Sequence, residues 1–148
     1  MSRSEDSISA GVNGLLAPGE TVVSALVVSP RGSTTASVGG IGPGEIGARW
    51  AGKNRAAAAE VGLVVKRSSG LALTTQRLLT LDLAISMTGS VKEVKGLLSE
   101  IPLDRVDQIR SKWNVLTISA GGTEFKLECK PPAAKALAKA FGAARDPA

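Results

Sequence analysis

The sequence predicts a mainly β (α+β) fold: a small, partly open antiparallel barrel of about seven strands capped by a C-terminal helix, with a Gly/Ala-rich helical insertion after the first strand. Three observations carry this expectation. Residues 71–83 alternate between apolar and polar around a break at Thr75-Gln76-Arg77, as two short, half-buried strands meeting at a turn do. Residues 113–120 and 123–130 flank Gly121-Gly122, a two-residue hairpin signal. Residues 133–144 place Ala133, Leu137, Ala140, Phe141 and Ala144 on one helical stripe, with Lys135 and Lys139 facing solvent. A helix with a single apolar stripe can plug the open end of a barrel or of two orthogonal sheets.

Composition narrows the chemistry. Aromatic residues are only 3% of the chain, so the core is expected to be aliphatic. Histidine is absent, which removes Ser-His-Asp triads, imidazole bases and histidine metal sites. Cys129 stands alone, which removes an intrachain disulfide and a cysteine-cluster zinc site. The net charge of +5 suits an anionic partner without naming one. Residues 1–10 are polar and lack a secretory pattern, and no apolar run has spanning length. A cytoplasmic protein is expected, with membrane association open through the basic segment described below.

Along the chain, residues 1–14 read as a disordered N-terminal arm, rich in serine, glycine and charge, and residues 15–145 as a single domain. Pro18-Gly19 marks a turn into a strand over 21–29 whose two faces are both apolar, so cover on both sides is expected. Residues 32–60 form the insertion. Its second half predicts a short basic helix, with Ile46, Trp50, Ala57 and Val61 on an apolar face and Arg49, Lys53 and Arg55 elsewhere. Residues 61–66 predict a strand, 84–96 a polar connection, and 97–101 a strand ended by Pro102. A turn at 103–105 leads into a strand over 106–110. In the last hairpin Leu116, Ile118, Phe125, Leu127 and Cys129 point inward, which makes Cys129 a small core hydrophobe. Trp113 is expected in the core beside that hairpin.

Two glycine patterns invite a nucleotide reading. Gly42, Gly44 and Gly47 fit G-x-G-x-x-G, whose logic is a tight turn bringing pyrophosphate to a helix N-terminus. Gly47, Gly52 and Lys53 imitate a phosphate-binding loop, but Asn54 replaces the hydroxyl residue that magnesium needs. The segment before Gly42 is a poor buried strand, and the rest of the chain lacks alternating helices and parallel strands. A surface helix after a glycine-rich loop is the favoured reading.

The run Leu73-Thr74-Thr75-Gln76-Arg77-Leu78-Leu79, then Ile101-Pro102-Leu103-Asp104-Arg105-Val106, then the 116–125 hairpin and the 134–141 helix resembles a bacterial PH-like domain. This is the superfamily of pleckstrin-homology and GRAM-like modules, and the resemblance covers residues 60–144 and extends to 15–30. It implies a seven-stranded, partly open barrel capped by the C-terminal helix. It also implies a binding or scaffold module rather than a catalyst; with the barrel-plus-helix pattern and the lack of catalytic residue types, a protein partner or a homo-oligomer is expected. Residues 32–60 depart from the compact family pattern, and no phosphoinositide-binding set of basic residues maps onto the chain.

Arg49, Trp50, Lys53, Arg55, Arg77 and Arg105 are the candidate binding residues; no catalytic, cofactor or metal residue is assigned. Two alternatives accompany the protein-binding expectation. Residues 45–61 could dock on an anionic bilayer, apolar face down and cations at the headgroups. The segment 42–53 could serve a nucleotide-binding enzyme. Nucleic acid is disfavoured, because basic residues are not interleaved with stacking aromatics.

Overall fold

The computed structural model describes residues 3–31, 43–66, 68–87 and 91–145. Among them the helices are α1 (Arg3–Val12), α2 (Pro43–Glu60) and α3 (Pro131–Arg145). The strands are β1 (Val22–Pro30), β2 (Ser69–Thr74), β3 (Arg77–Ile85), β4 (Val91–Pro102), β5 (Val106–Lys112), β6 (Val115–Ala120) and β7 (Thr123–Glu128). They form one antiparallel sheet in the order β4-β3-β2-β1-β7-β6-β5. The sheet curls but does not close, leaving β4 and β5 as its edges. A partly open barrel with a C-terminal helix is therefore the observed architecture, with a helical insertion after the first strand.

Inside the curl, Leu26, Val28, Leu71, Leu73, Leu78, Ile101, Leu116, Ile118, Phe125 and Leu127 form an aliphatic core. From α3, Ala133, Ala134, Leu137 and Phe141 enter this core, and the helix packs across β5, β1, β6 and β2. The Gly121-Gly122 hairpin forms as expected. Both glycines have positive φ (57° and 84°), which a two-residue turn demands and a side chain resists.

The arm expected at 1–14 is instead the helix α1 followed by a 3-10 turn (Asn13–Leu15). Ile8 and Val12, four residues apart, are fully buried on the outer face of β1–β4. They meet Ala25, Ala72, Leu79, Leu81, Leu83 and Val91 in a second core. Hence β2, expected to be half-buried, is buried at every position. It is a strand between two cores, and β1 likewise has cover on both faces.

Two further expectations are corrected. Residues 63–66 join no ladder, although Leu63 and Val65 are buried and Val64 is 44% exposed. Side chains hold this extended segment: Val64 N–H donates to Ser99 Oγ (2.8 Å) and Lys66 N–H to Ser69 Oγ (3.1 Å). The polar connection expected at 84–96 is mostly strand, because β3 runs to Ile85 and β4 starts at Val91. Here the register slips three times. Leu79, Leu81, Leu83 and Ile85 face Glu100, Leu97, Val94 and Val91, so β4 advances three residues for every two of β3. Its apolar residues consequently recur at spacing three, which hides the period of a strand.

The β1–β7 seam is the weakest join in the sheet. Ser29 pairs with Glu128 and Pro30 with Leu127. Beyond them Arg31 N–H donates to Lys126 C=O (2.9 Å). The return bond is relayed by α2: Lys126 N–H donates to Asn54 Oδ1 (2.8 Å), and Asn54 Nδ2 donates to Arg31 C=O (3.3 Å). The amide of Asn54 acts as a peptide-like wedge that parts the strands while satisfying both. Ala58 and Val61 are buried and Ala57 is half-buried beneath the same helix.

Two stability predictions follow from these junctions. Asn54→Leu leaves a backbone donor and acceptor without that partner and should cost about 1–2 kcal/mol in urea unfolding; Asn54→Gln should not restore it. At Gly11 of α1, an added Cβ would lie 2.5 Å from Val94 Cγ2. Gly11→Ala should therefore lower stability by about 1–3 kcal/mol despite alanine's better helix propensity. A cycle with Val94→Gly, which removes Cβ (2.7 Å from the added Cβ) as well as Cγ2, should show that the two costs are strongly non-additive.

Candidate interaction surface

One corner of the fold is dominated by charge. Glu20 precedes β1, and its carboxylate is fully buried. Arg77 grips it with two bonds, Nε to Oε2 at 2.9 Å and Nη2 to Oε1 at 2.6 Å. Thr74 Oγ1 donates to the same carboxylate, and Ala17 N–H donates to Oε1 (2.9 Å). The Arg77 bonds lead in holding the Glu20 carboxyl down from 4.5 to about 2, against the opposing cost of burial; the Thr74 and Ala17 bonds add to the lowering. Arg77 is in turn held charged, chiefly by its bonds to Glu20. Its remaining donors reach Leu15 C=O (3.3 Å) and Glu100. Arg77, a candidate binding cation, is thus a structural clamp between the α1–β1 connection, the β2–β3 turn and β4.

The other candidates lie apart from this clamp in their roles. Arg105 is exposed at the end of the 3-10 turn Leu103–Arg105, which Leu103 N–H ties to Gln76 C=O (3.2 Å). Lys53 and Arg55 are exposed on α2. Arg49 and Trp50 belong to α2, but their side chains, with that of Ile46, lie outside the described residues. Ala57 and Val61, the C-terminal part of the face that a lipid-docked helix would turn to the bilayer, pack inward with Ala58 instead. Among the described residues no helix is long and apolar enough to cross a membrane.

The phosphate-loop pattern is also helical here. Gly47, Gly52 and Lys53 sit within the single helix α2, whose backbone N–H groups are committed to helix bonds beyond its first turn. Gly44 and Gly47 of the dinucleotide pattern lie in the same helix, and Gly42 and the residues before it are outside the described residues. The tight cradle that would let phosphate approach is not formed by 43–53.

Trp113 was expected in the core and is 77% exposed. It occupies the β5–β6 turn with φ 51°, a left-handed conformation that is uncommon for a bulky side chain. The turn conformation, not packing, points the indole into water. Beside it the outer face of β5–β7 is mostly polar, and no described residue buries it: Gln108, Arg110, Lys112, Glu124 and Lys126 are exposed. Arg110, Thr117 and Lys126 form one cross-strand row, and Arg110 pairs with Glu124 (2.9 Å). Sequence reasoning missed Trp113 because hydrophobicity alone assigned it inward. The available signal was its place directly after the polar end of β5.

Cys129 is half-buried against the main core. Burial, aided by the charge of Glu128, pushes its thiol up to about 12. Thiolate is scarce at neutral pH, so the group is a packing residue rather than a nucleophile. Among the described residues no three His, Cys, Asp or Glu side chains cluster to hold a metal ion. No protein-family model matches the sequence, and comparison with curated proteins finds no match.

The corner predicts a specific acid response. A carboxyl whose folded pKa lies below its unfolded value contributes stability that is complete above the unfolded pKa and is lost as pH falls through the folded one. For Glu20 that window runs from about 4.5 down to about 2. The wild type should lose stability across it. Glu20→Gln should be less stable at neutral pH but show a shallower slope over the same window in denaturant titrations. At Cys129, alkylation by iodoacetamide at pH 8 should be slow in the folded protein and rapid in denaturant.

Proposed function

We propose that the chain is a non-catalytic, PH-like binding or scaffold module that works through protein–protein contact, with self-association included. The sheet order and the helix laid across it support the PH-like reading, because they give the partly open barrel that the resemblance implies. The single observation that carries the binding role is Trp113. An indole 77% exposed on a left-handed turn sacrifices burial and backbone comfort at once. Tryptophan is enriched among the residues that dominate interface energies, since its large rigid surface gains much on burial. Lys112 and Arg110 beside it are exposed and give the surface a polar rim.

The test is photo-cross-linking from a benzophenone side chain at position 113 in the native host, with sedimentation across a wide concentration range. A defined adduct, homotypic or heterotypic, is expected from position 113 and absent from the exposed position Lys92. Equal, diffuse labelling from both positions, together with a monomer at every concentration, would count against the reading.

A further inference from the structure

The two edges of the open sheet are not equivalent. On β4 the register slips set Lys92, Lys95 and Leu98 as extra residues, so the strand bends repeatedly. Two of those residues are lysines. Bulges and lysines are what keep an edge from pairing with another chain. On β5 the only slip is at Asp107, and Gln108 to Lys112 run in regular register against β6.

The direction of the β5 backbone groups follows from the next hairpin. Cys129 N–H donates to Asn114 C=O (2.9 Å), so on β6 the even-numbered residues bond toward β7. Ser119, Thr117 and Val115 must then bond toward Gln108, Arg110 and Lys112. By alternation, Ile109 and Ser111 turn their N–H and C=O groups to the free edge. Among the described residues no backbone bond outside the ladder reaches them. The edge ends at the exposed indole of Trp113, and the flanking side chains Arg110 and Lys112 are both cationic and exposed.

We infer that the free edge of β5 docks an extended acidic segment of a partner protein as an added strand. Ile109 and Ser111 supply its backbone bonds. Lys112 faces an acidic residue directly, Arg110 does so by exchanging its exposed ion pair with Glu124 for a second one, and Trp113 covers one end. Charge decides the occupant. If a second copy paired here antiparallel with Ile109 against Ser111, Arg110 would meet Arg110 of the copy. The register centred on Ser111 would set Arg110 against Lys112. Like charges directly opposite destabilise a strand pair. The register centred on Ile109 avoids this but runs into the slip at Asp107. An acidic strand meets none of these obstacles. The assignment rests on the binding-module reading and gives it a partner class.

The probe is a synthetic peptide of about eight residues, a usual strand length, with Glu alternating with Thr or Val. Binding should slow amide exchange at Ile109 and Ser111 and shift the Trp113 emission in a Trp50→Phe background. Lys112→Glu should weaken it about tenfold, and added salt should weaken it further. The same peptide with Lys for Glu should not bind. A version N-methylated at the positions facing Ile109 and Ser111 should lose binding, which needs no variant of the protein. Ser111→Pro, tolerable on an edge strand, should do the same. Absent binding, protection confined to β4, or full binding by the N-methylated peptide overturns the assignment. If the peptide fails while cross-linking from position 113 still gives a defined adduct, the binding-module reading stands and only the edge assignment falls.

Discussion

The buried carboxylate of Glu20 constrains more of this structure than any other group. A charge taken from water costs several kcal/mol unless its bonds are replaced in full. Here the replacement comes from Arg77, Thr74 and the Ala17 backbone. The donors come from two segments, the 17–20 connection that carries Glu20 and the 74–77 turn between β2 and β3, so satisfying the carboxylate fixes these two relative to each other. Arg77 extends the constraint to Leu15 and Glu100. The connection leaving α1 is therefore held at one corner of the sheet, and α1 has little choice but to lie over the outer face of β1–β4. Such a pair adds little net stability over an apolar substitute, while removing one partner costs about 3–5 kcal/mol. Its role is to specify an arrangement rather than to strengthen it.

From that arrangement comes a sheet with two kinds of strand. Beneath α1, β2 is buried on both faces, and β1 contributes Leu26 and Val28 to one core and Ala25 to the other. In β5–β7 the outer face is not buried by any described residue, and burial alternates along β6. The sequence mirrors the difference. Strands β6 and β7 were legible from alternation and the Gly-Gly turn, and β1 from two apolar faces. The α3 stripe was legible from its spacing. Helix α1 was not, because serine, glutamate and aspartate dominate its composition and only Ile8 and Val12 reveal a buried side. Strand β4 was hidden by its own slips, since a period of three belongs to neither a regular strand nor a helix.

The site was less legible than the fold, for reasons of range and direction. Arg77 reads from sequence as a surface cation. Its partner Glu20 lies 57 positions away and is matched to it only by folding. Trp113 reads as a core residue, since nothing in its composition announces a positive φ. A backbone dihedral decides whether that indole meets the core or water. Asn54 drew attention as the wrong residue for a phosphate loop. Its amide is the right residue for a different task, a side chain that completes a parted strand ladder.

The insertion between β1 and β2 illustrates how such a fold absorbs extra chain. Closing a flexible loop costs only about 0.6 kcal/mol for each doubling of its length. A long excursion there is thus a small entropic burden, provided that its backbone groups are satisfied and some apolar surface returns to the core. Helix α2 meets both conditions. Its own ladder satisfies the backbone, and Ala58 and Val61 return to the main core. It also lands where the sheet most needs support, at the seam where β1 and β7 share only two ladder pairs. The helix that departs from a compact barrel pattern is, through Asn54, part of what holds the barrel's two halves in register. The position also limits what this end of α2 can do: Ala57 and Ala58 are turned to the core, so the exposed Lys53 and Arg55 are not accompanied there by those residues. Among the described residues, the end of β5 combines an exposed indole, the cations Lys112 and Glu124-paired Arg110, and outward-facing backbone groups.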